Sequence, residues 1–371
     1  MINVFGSDLG EEEIKAVNNC INSQWVGFGK DVERFEQEFM RRQEVNNFLM
    51  VDSGSNALYM ACHLLGLKPN DEIIIPSFTW VSCAQAALLC GLKPIFADVD
   101  IDTMNITAEH IKNVITPKTK AIMVVHYAGL PVEMDEIRNL DLPIIEDAAH
   151  AVDAKYKGIQ CGAISDIGIF SFDAVKNLTA IEGGGICFQS DRLKDQAKKL
   201  RYCGIGKSGF DSMKQSSKTW WEYNITEPFI KMLPTNLHAV VACEQLNKLP
   251  RMQARRKEIW DHYQATFSSL EQCITPAEAP SGSRHGYFTY CLRAAQRDEL
   301  ANYLLKNEIY TTLRYHPLHL NKLYNQQNIT LSNSQELNET GLSLPIHPRL
   351  SDHQVDYICE KVKSFYSKKC V

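Results

Sequence analysis

The chain has 371 residues, of which 44% are hydrophobic and 22% charged, as in ordinary soluble globular proteins. Its net charge of −5, without a basic cluster interleaved with aromatic residues, argues against nucleic-acid binding. The N-terminus lacks the features of a signal peptide, and no apolar run approaches the roughly 18 residues of a membrane span. The twelve cysteines are scattered without C-x-x-C spacing, so we expect reduced thiols in a cytoplasmic protein without a metal site.

Between about residues 45 and 190, short strand-like runs alternate with helical stretches. Residues 48–51 predict a strand and 57–62 a helix, and 73–76 predict a strand followed by a helix over 81–89. Further strand-like runs cover 94–97, 121–125 and 143–145. Such alternation is typical of βαβ units, so we expect an α/β fold whose mostly parallel sheet carries helices on both faces.

The C-terminal part has a different pattern. Residues 237–265 predict one long helix, interrupted at Pro250. An alternating run over 287–292 and two further helical stretches follow. We therefore expect a large α/β domain over residues 1–240, including the N-terminal segment, and a smaller α+β domain over 241–371.

Ligands of such sheets bind at the carboxyl ends of the strands. The turn around Gly54 joins a predicted strand to a helix, and Ser55 and Asn56 follow it. Glycine allows close backbone approach, and a helix N-terminus attracts anions, although an ordinary N-cap explains the same turn equally well. Trp80 occupies a second strand-to-helix turn, where it either stacks on a flat ligand or packs in the core.

Two other predicted strand ends carry an acid and a lysine. Asp147 and His150 follow the run at 144–145, whereas Lys176 follows Ser171 and precedes a glycine-rich turn. This pair suits an enzyme that uses pyridoxal 5′-phosphate (PLP), in which a lysine binds the cofactor as a Schiff base and an acid keeps the pyridine nitrogen protonated. A hydroxyl such as that of Ser171 suits the cofactor phosphate.

With these residues in place, nearly the whole chain resembles the DegT-type sugar aminotransferases. The resemblance rests on an ordered set of segments: residues 24–27, 35–36, 53–55, 76–80, 96–100, 126–129, 146–150, 170–172, 176–177 and 317–319. It implies PLP fold type I with a seven-stranded-type sheet. It also implies transfer of an amino group from glutamate to the C4 or C3 keto group of a nucleotide-linked sugar, for amino sugars of surface polysaccharides such as lipopolysaccharide O-antigen or similar products.

The resemblance also implies roles for individual residues. Lys176 carries PLP and moves the proton, while Asp147 pairs with the ring nitrogen. His150 lies near the ring hydroxyl and Trp80 stacks on the ring. Gly54, Ser55, Asn56 and Ser171 hold the phosphate, and His319 faces the substrate.

Members of this family are homodimers with shared active sites, so the resemblance also implies a contact across the dimer. The family's usual Gly-Tyr-Asn segment is matched here by residues 228–234. This match places Lys231 where a side chain reaches the phosphate of the neighbouring subunit's cofactor, and Asn224 is the competing candidate. The usual histidine of the C-terminal strand is replaced near Phe288, and Asp173 replaces a histidine that often follows Ser-Phe.

Three alternatives stay open. A sugar dehydratase of the same family carries histidine in place of the lysine, which Lys176 argues against. A transaminase for small amino acids needs an arginine for the α-carboxylate, for which Arg314 and Arg284 are candidates. A regulator that binds PLP without turnover does not need the intact pair of Lys176 and Asp147.

Overall fold

The computed structural model of the chain describes residues 1–207, 221–324 and 329–367. Helices and strands alternate over most of the first two hundred residues. The helices here are α1 (Glu11–Asn22), α2 (Lys30–Gln43), α3 (Gly54–Leu64), α4 (Val81–Leu89), α5 (Ala108–Lys112), α6 (Met134–Arg138) and α7 (Asp191–Arg201). The strands are β1 (Asn47–Val51), β2 (Glu72–Pro76), β3 (Lys93–Ala97), β4 (Thr119–Val125), β5 (Ile144–Asp147), β6 (Lys155–Tyr156), β7 (Ile159–Gln160), β8 (Ile167–Ser171), β9 (Gly184–Phe188), β10 (Ile205–Lys207) and β11 (Asn224–Ile225).

Seven of these strands form the central sheet, in the order β1-β9-β8-β5-β4-β2-β3. Neighbours from β8 to β3 pair in parallel, whereas β9 runs antiparallel between β1 and β8. All strands except β9 therefore run in one direction, and their carboxyl ends meet at one edge. The expected fold class, a mostly parallel seven-stranded sheet in an α/β protein, is confirmed.

Both faces of the sheet are buried, as its near-continuous apolar strands require. On one face, Phe39 of α2 stacks on Phe48 of β1 with 4.3 Å between ring centroids, and Phe35 meets Phe172 edge-on at 5.3 Å. On the other face, side chains of α3, α4 and α7 pack against the alternate residues of the same strands. Fully burying one such apolar side chain contributes about 1.5–3 kcal/mol, so the two layers fix the strands that carry the site.

The long helix α8 runs without a break from Asn236 to Phe267, so the predicted interruption at Pro250 is wrong. Proline removes the N–H that would bond to the carbonyl of residue 246, four positions earlier. In the fold, Nη1 of Arg42 donates to that Leu246 carbonyl over 3.1 Å. Because α2 supplies this substitute donor, the carbonyl is not left without a partner and the helix continues.

A second hydrophobic core lies around the C-terminal half of α8. Three short strands, β12 (Cys273–Ile274), β13 (Tyr290–Ala294) and β14 (Gly341–Leu344), form an antiparallel sheet that packs with α9 (Arg297–Lys306), α10 (Ser332–Thr340) and α11 (Asp352–Ser367). The N-terminus joins this unit, since the Ile2 N–H donates to the Glu308 carbonyl and the Tyr310 N–H donates to that of Ile2. Residue 240 lies inside α8, whose first half packs on the central sheet. The division at 240/241 stays a prediction.

None of the helices in the described parts of the chain is long and apolar enough to cross a membrane.

Candidate active site

The carboxyl ends of β1, β2, β5 and β8 surround a cavity of about 410 Å³. Side chains from the C-terminal unit close its far side. The residues that line it include Ser53, Gly54, Ser55, Trp80, Asp147, His150, Ser171, Lys176, Arg314 and Tyr315. Most of the residues singled out in the sequence thus meet in one place, because parallel strands bring their carboxyl ends to the same edge.

The first wall of the cavity is the N-terminus of α3. Ser53 caps this helix by accepting the Asn56 N–H over 3.2 Å, so the predicted N-cap is present. Gly54 lies so close to β8 that a Cβ there would come within 2.9 Å of the Ser171 Cβ. Because Gly54 has no side chain, the N–H groups of the first turn of α3 face the cavity, and they have no acceptor within the helix. The hydroxyl groups of Ser55 and Ser171 lie beside them. This cradle suits a phosphate.

Lys176 lies on the loop between β8 and β9. An Asx turn starts this loop, in which Asp173 Oδ1 accepts the Val175 N–H over 3.0 Å. The side chain of Asn177, buried, donates to the carbonyl of Gly286 and to Gln253 of α8, which fixes the loop against the second unit. Burial, together with the nearby Arg314 guanidinium, lowers the pKa of Lys176 to about 8 from its ordinary value of 10.5. The amine is therefore far more often neutral near physiological pH than an exposed lysine.

Asp147, the last residue of β5, is buried beside the cavity. Its Oδ1 accepts the Ala149 N–H over 2.9 Å, and its Oδ2 accepts the Cys83 thiol over 3.2 Å. Burial nevertheless raises the pKa of this carboxyl group above its ordinary value. A buried carboxylate is stabilised when a cationic N–H approaches it, and a protonated pyridine nitrogen provides one.

His150 follows β5 and stands between aromatic rings. It stacks on Phe288 with 4.1 Å between centroids, and its Nε2 lies 3.0 Å from the Tyr315 hydroxyl. Burial holds the pKa of His150 well below its ordinary value, so the ring is neutral. Its Nδ1 is buried without a hydrogen-bond partner among the described residues. Such an atom is costly unless a bound group satisfies it.

Trp80 forms the outer wall, just before α4. Its ring lies 5.4 Å from that of Tyr315, tilted by 48°, and about half of the residue is exposed. Trp80 is thus a wall of the cavity rather than a core side chain, and its stacking on the cofactor ring stays a prediction.

Other predicted site residues lie elsewhere. The Asn56 side chain donates to both carboxylate oxygens of Asp52, at 2.8 and 3.0 Å, and does not line the cavity. His319 is buried behind the site, where its Nδ1 lies 2.6 Å from the Ser77 hydroxyl and ties a short 3₁₀ turn (Leu318–Leu320) to the end of β2. Lys231 and Asn224 are exposed and do not line the cavity of their own chain. Their predicted roles, and those of Asn56 and His319, stay predictions.

Several residues of the site were not assigned a role from the sequence. Tyr315 contacts His150, the Cys83 thiol donates to Asp147, and Phe5 packs against Arg314. Asn177 was noted beside Lys176, but nothing in the sequence indicated that it anchors the loop. Only Tyr315 carried a signal, since it lies two residues before the segment 317–319 that supports the family resemblance.

These features fit PLP. The cradle at α3 suits its phosphate, Asp147 its ring nitrogen and Lys176 its aldehyde carbon, while the unpartnered Nδ1 of His150 suits a ring hydroxyl. A metal site is a poorer fit, since no three His, Cys, Asp or Glu side chains in the described parts of the chain are grouped to hold an ion.

Comparisons with known proteins agree with this assignment. Residues 7–363 match the DegT/DnrJ/EryC1/StrS aminotransferase family. The chain is 34% identical over 370 residues to dTDP-4-dehydro-2,3,6-trideoxy-D-glucose 4-aminotransferase of Saccharopolyspora spinosa, covering 97% of this chain and 96% of that protein. It is also 34% identical to the spore coat polysaccharide biosynthesis protein SpsC of Bacillus subtilis, covering 96% and 94% of the two chains.

Solved structures give the same result. The crystal structure of the aminotransferase TlmJ from Streptoalloteichus hindustanus superimposes over 100% of both chains with a TM-score of 0.94 and 33% identity. The chain therefore belongs to the DegT/DnrJ/EryC1/StrS aminotransferase family and is a PLP-dependent sugar aminotransferase.

Proposed function

We propose that this enzyme moves an amino group from glutamate to the keto group of a nucleotide-linked sugar, and that it works in the cytoplasm as a homodimer. The observation that carries the proposal is the placement of Lys176 and Asp147 in one cavity, opposite the phosphate cradle of α3. The family membership supplies the reaction class, and the donor, the sugar and the assembly are the parts that we propose.

Transamination requires removal of a proton from the carbon that carries the amino group. PLP, when bound, supplies the electron sink that makes this proton acidic enough to remove. Asp147 would hold the proton on the ring nitrogen, because a carboxylate in a buried site favours a cationic partner. The donors from Ala149 and Cys83 keep this carboxylate in position.

Lys176 is suited to move the proton at the substrate carbon. With a pKa lowered to about 8, its Nζ exchanges a proton near neutral pH more readily than an ordinary lysine. The Asx turn at Asp173 and the buried Asn177 hold the loop that aims it. Trp80 and Tyr315, whose rings lie 5.4 Å apart, line the same cavity.

A 4-keto sugar linked to a nucleotide is the acceptor that the relatives favour. One relative with 34% identity is named for amination at the 4-position of a dTDP-linked sugar, and another for polysaccharide biosynthesis. We therefore favour C4 over C3, and a surface polysaccharide or a similar product as the destination of the amino sugar.

The alternatives differ from this proposal in specific features. The dehydratase alternative carries histidine in place of the lysine, whereas this chain has Lys176, and a binding-only regulator does not need Lys176 to exchange protons. A transaminase for small amino acids needs an arginine in the cavity, and Arg314 lines it whereas Arg284 pairs with Asp153 elsewhere. Both reactions start from an amino-acid donor, so the acceptor separates this alternative from a sugar aminotransferase.

A panel of nucleotide-linked 3-keto and 4-keto sugars, incubated with the holoenzyme and glutamate and analysed by mass, tests the proposal. We expect a product heavier than its keto sugar by about one mass unit, since CH–NH2 replaces C=O, and formation of 2-oxoglutarate. Amination of 2-oxo acids alone would support the small-amino-acid alternative, and loss of water from the sugar would support a dehydratase.

A further inference from the structure

Arg314 is a charged residue of the cavity to which the reaction described above gives no role. It lies on the segment that follows α9, and its backbone carbonyl accepts a hydrogen bond from the Tyr127 hydroxyl. Its guanidinium carbon lies 3.6 Å from the centroid of the Phe5 ring and 5.0 Å from that of Phe288. Two aromatic faces therefore hold the guanidinium group in one place within the cavity wall.

This guanidinium group has no carboxylate partner among the described residues. Its one polar contact in these parts of the chain is Nη1 donating to the Tyr315 hydroxyl over 3.2 Å. Two other largely buried arginines have carboxylate partners, Arg201 with Glu36 and Arg293 with Asp102. A guanidinium group carries five N–H donors, so Arg314 retains several for a ligand.

Arg314 also lies close to a second cation. Lys176 Nζ is 4.8 Å from the centroid of the Phe288 ring, the same ring that Arg314 contacts. The repulsion between the two groups contributes to the low pKa of Lys176. An anion bound between them would relieve this repulsion.

An amino-acid donor brings such an anion. Its amine would have to reach the cofactor carbon that Lys176 would hold, and its α-carboxylate is bonded to the same carbon as that amine. The α-carboxylate carbon therefore lies only about 2.5 Å from the amine nitrogen, from standard bond lengths and angles. The distal carboxylate of glutamate is two methylene groups farther away.

We propose that Arg314 binds the α-carboxylate of the amino donor through its planar guanidinium fork. This inference rests on the proposed use of glutamate and adds the residue that recognises it. The guanidinium fork matches a carboxylate with two parallel hydrogen bonds, which a lysine or a neutral amide does not reproduce.

The first measurement is a binding titration on the holoenzyme, followed by cofactor absorbance, with 2-methylglutamate. This ligand has no proton on its α-carbon, so its titration reports binding without turnover. Arg314→Gln should weaken binding by roughly 10- to 100-fold, the range expected for lost hydrogen bonds to a charged group. Arg284→Gln is the matched control, because that arginine pairs with Asp153 outside the cavity, and it should bind as the wild type does.

The second measurement distinguishes the two carboxylates of the donor. The rate at which the cofactor absorbance changes is compared for glutamate, for its α-amide isoglutamine and for its side-chain amide glutamine. The wild type should strongly prefer glutamate over isoglutamine, and Arg314→Gln should abolish most of that preference while leaving the discrimination against glutamine. If Arg314→Gln instead lost the discrimination between glutamate and glutamine, the assignment of Arg314 to the α-carboxylate would be overturned.

Unchanged binding of 2-methylglutamate by Arg314→Gln would overturn the inference altogether. If this variant does not fold or retain PLP, Arg314→Lys decides by the same criteria, since it keeps the charge but loses the fork, and we expect about tenfold weaker binding. The proposed function is tested separately. If adding glutamate does not change the cofactor absorbance of the wild-type holoenzyme, glutamate is not the donor, whatever the variants show.

Discussion

The thiol of Cys83 donates a hydrogen bond to the carboxylate of Asp147, with 3.2 Å between Sγ and Oδ2. Cys83 lies on α4 and Asp147 at the end of β5, so the contact joins a helix to the strand end beneath it. Burial and the neighbouring carboxylate hold the pKa of the thiol well above its ordinary value, so it stays protonated. The thiol is therefore a donor that orients the Asp147 carboxylate.

Removing this donor should slow turnover without loss of bound PLP. We expect Cys83→Ala to lower turnover by roughly tenfold, because a hydrogen bond to a charged group is worth about 1.5 kcal/mol or more. Cys83→Ser restores a hydroxyl donor and should recover most of the rate. Cys187→Ala, which removes another buried thiol, controls for the lost packing. Turnover and bound PLP are measured for each, and equal rates for the alanine and serine variants at position 83 would refute the role.

Lys176 should be the residue that carries the cofactor. Borohydride reduction of the holoenzyme followed by peptide mapping should place the label on Lys176, and Lys176→Ala should give no labelled peptide. A label on any other lysine would contradict the assignment.

The low pKa of Lys176 predicts how capture of the cofactor depends on pH. Only the neutral amine captures PLP. The initial rate at which the PLP-free protein binds PLP should therefore rise with pH through a midpoint near 8, rather than near the ordinary lysine pKa of 10.5. Arg314→Gln removes a repelling cation, and we expect its midpoint to move to higher pH. Stopped-flow absorbance between pH 6 and about 10 measures both midpoints, and a downward or absent shift in the variant would contradict the charge argument.

Asp147→Asn should separate binding from turnover. The amide fills the same volume but does not hold the ring nitrogen protonated, and each pKa unit lost is about 1.4 kcal/mol. We expect the variant to fold and bind PLP while turnover with glutamate falls by at least about 100-fold, which corresponds to two such units. A near-wild-type rate at full PLP occupancy would refute the role of Asp147.

Lys231 should affect PLP retention from outside its own cavity. It is exposed on the single chain, as is Asn224, and neither lines the cavity. The sequence over 208–234 is long and irregular and contains Trp220 and Trp221, which predicts that it serves a site or an interface, and its residues 208–220 lie outside the described residues. If Lys231 reaches the neighbouring subunit's cofactor phosphate, Lys231→Ala should weaken PLP retention while sedimentation still shows a dimer. Asn224→Ala is its matched comparison. If neither substitution changes PLP retention, or if the wild type is a monomer, one chain builds the whole site.

The contact between Arg42 and the Leu246 carbonyl should stabilise the fold because Pro250 leaves that carbonyl free. We expect Arg42→Ala to reduce the free energy of unfolding by about 1–2 kcal/mol, measured by urea denaturation. Arg41→Ala should cost much less, because its described partner is only the partly exposed Glu38. The effect of Arg42→Ala should shrink in a Pro250→Ala background, where the helix N–H satisfies the same carbonyl. An equal loss in both backgrounds would refute the explanation.

The sequence alone determined the sheet and the residues at its edge. Apolar runs of strand length with intervening helices predict parallel strands, and parallel strands bring their ends together. Gly54, Asp147, Ser171 and Lys176 could therefore be placed at one site from their positions after such runs, and the fold confirms that they share a cavity. The order of the quoted segments also sufficed to identify the family.

Only the tertiary structure decided what faces these residues from across the cavity. Arg314, Tyr315, Phe288 and Phe5 enter through packing of the second unit, and no local periodicity encodes a contact between residues hundreds of positions apart. The same limit explains why α8 continues through Pro250, since the donor to the Leu246 carbonyl comes from Arg42 of α2. The outcome there depends on which hydrogen-bond partner the fold brings within reach, and that partner lies on another element of the structure.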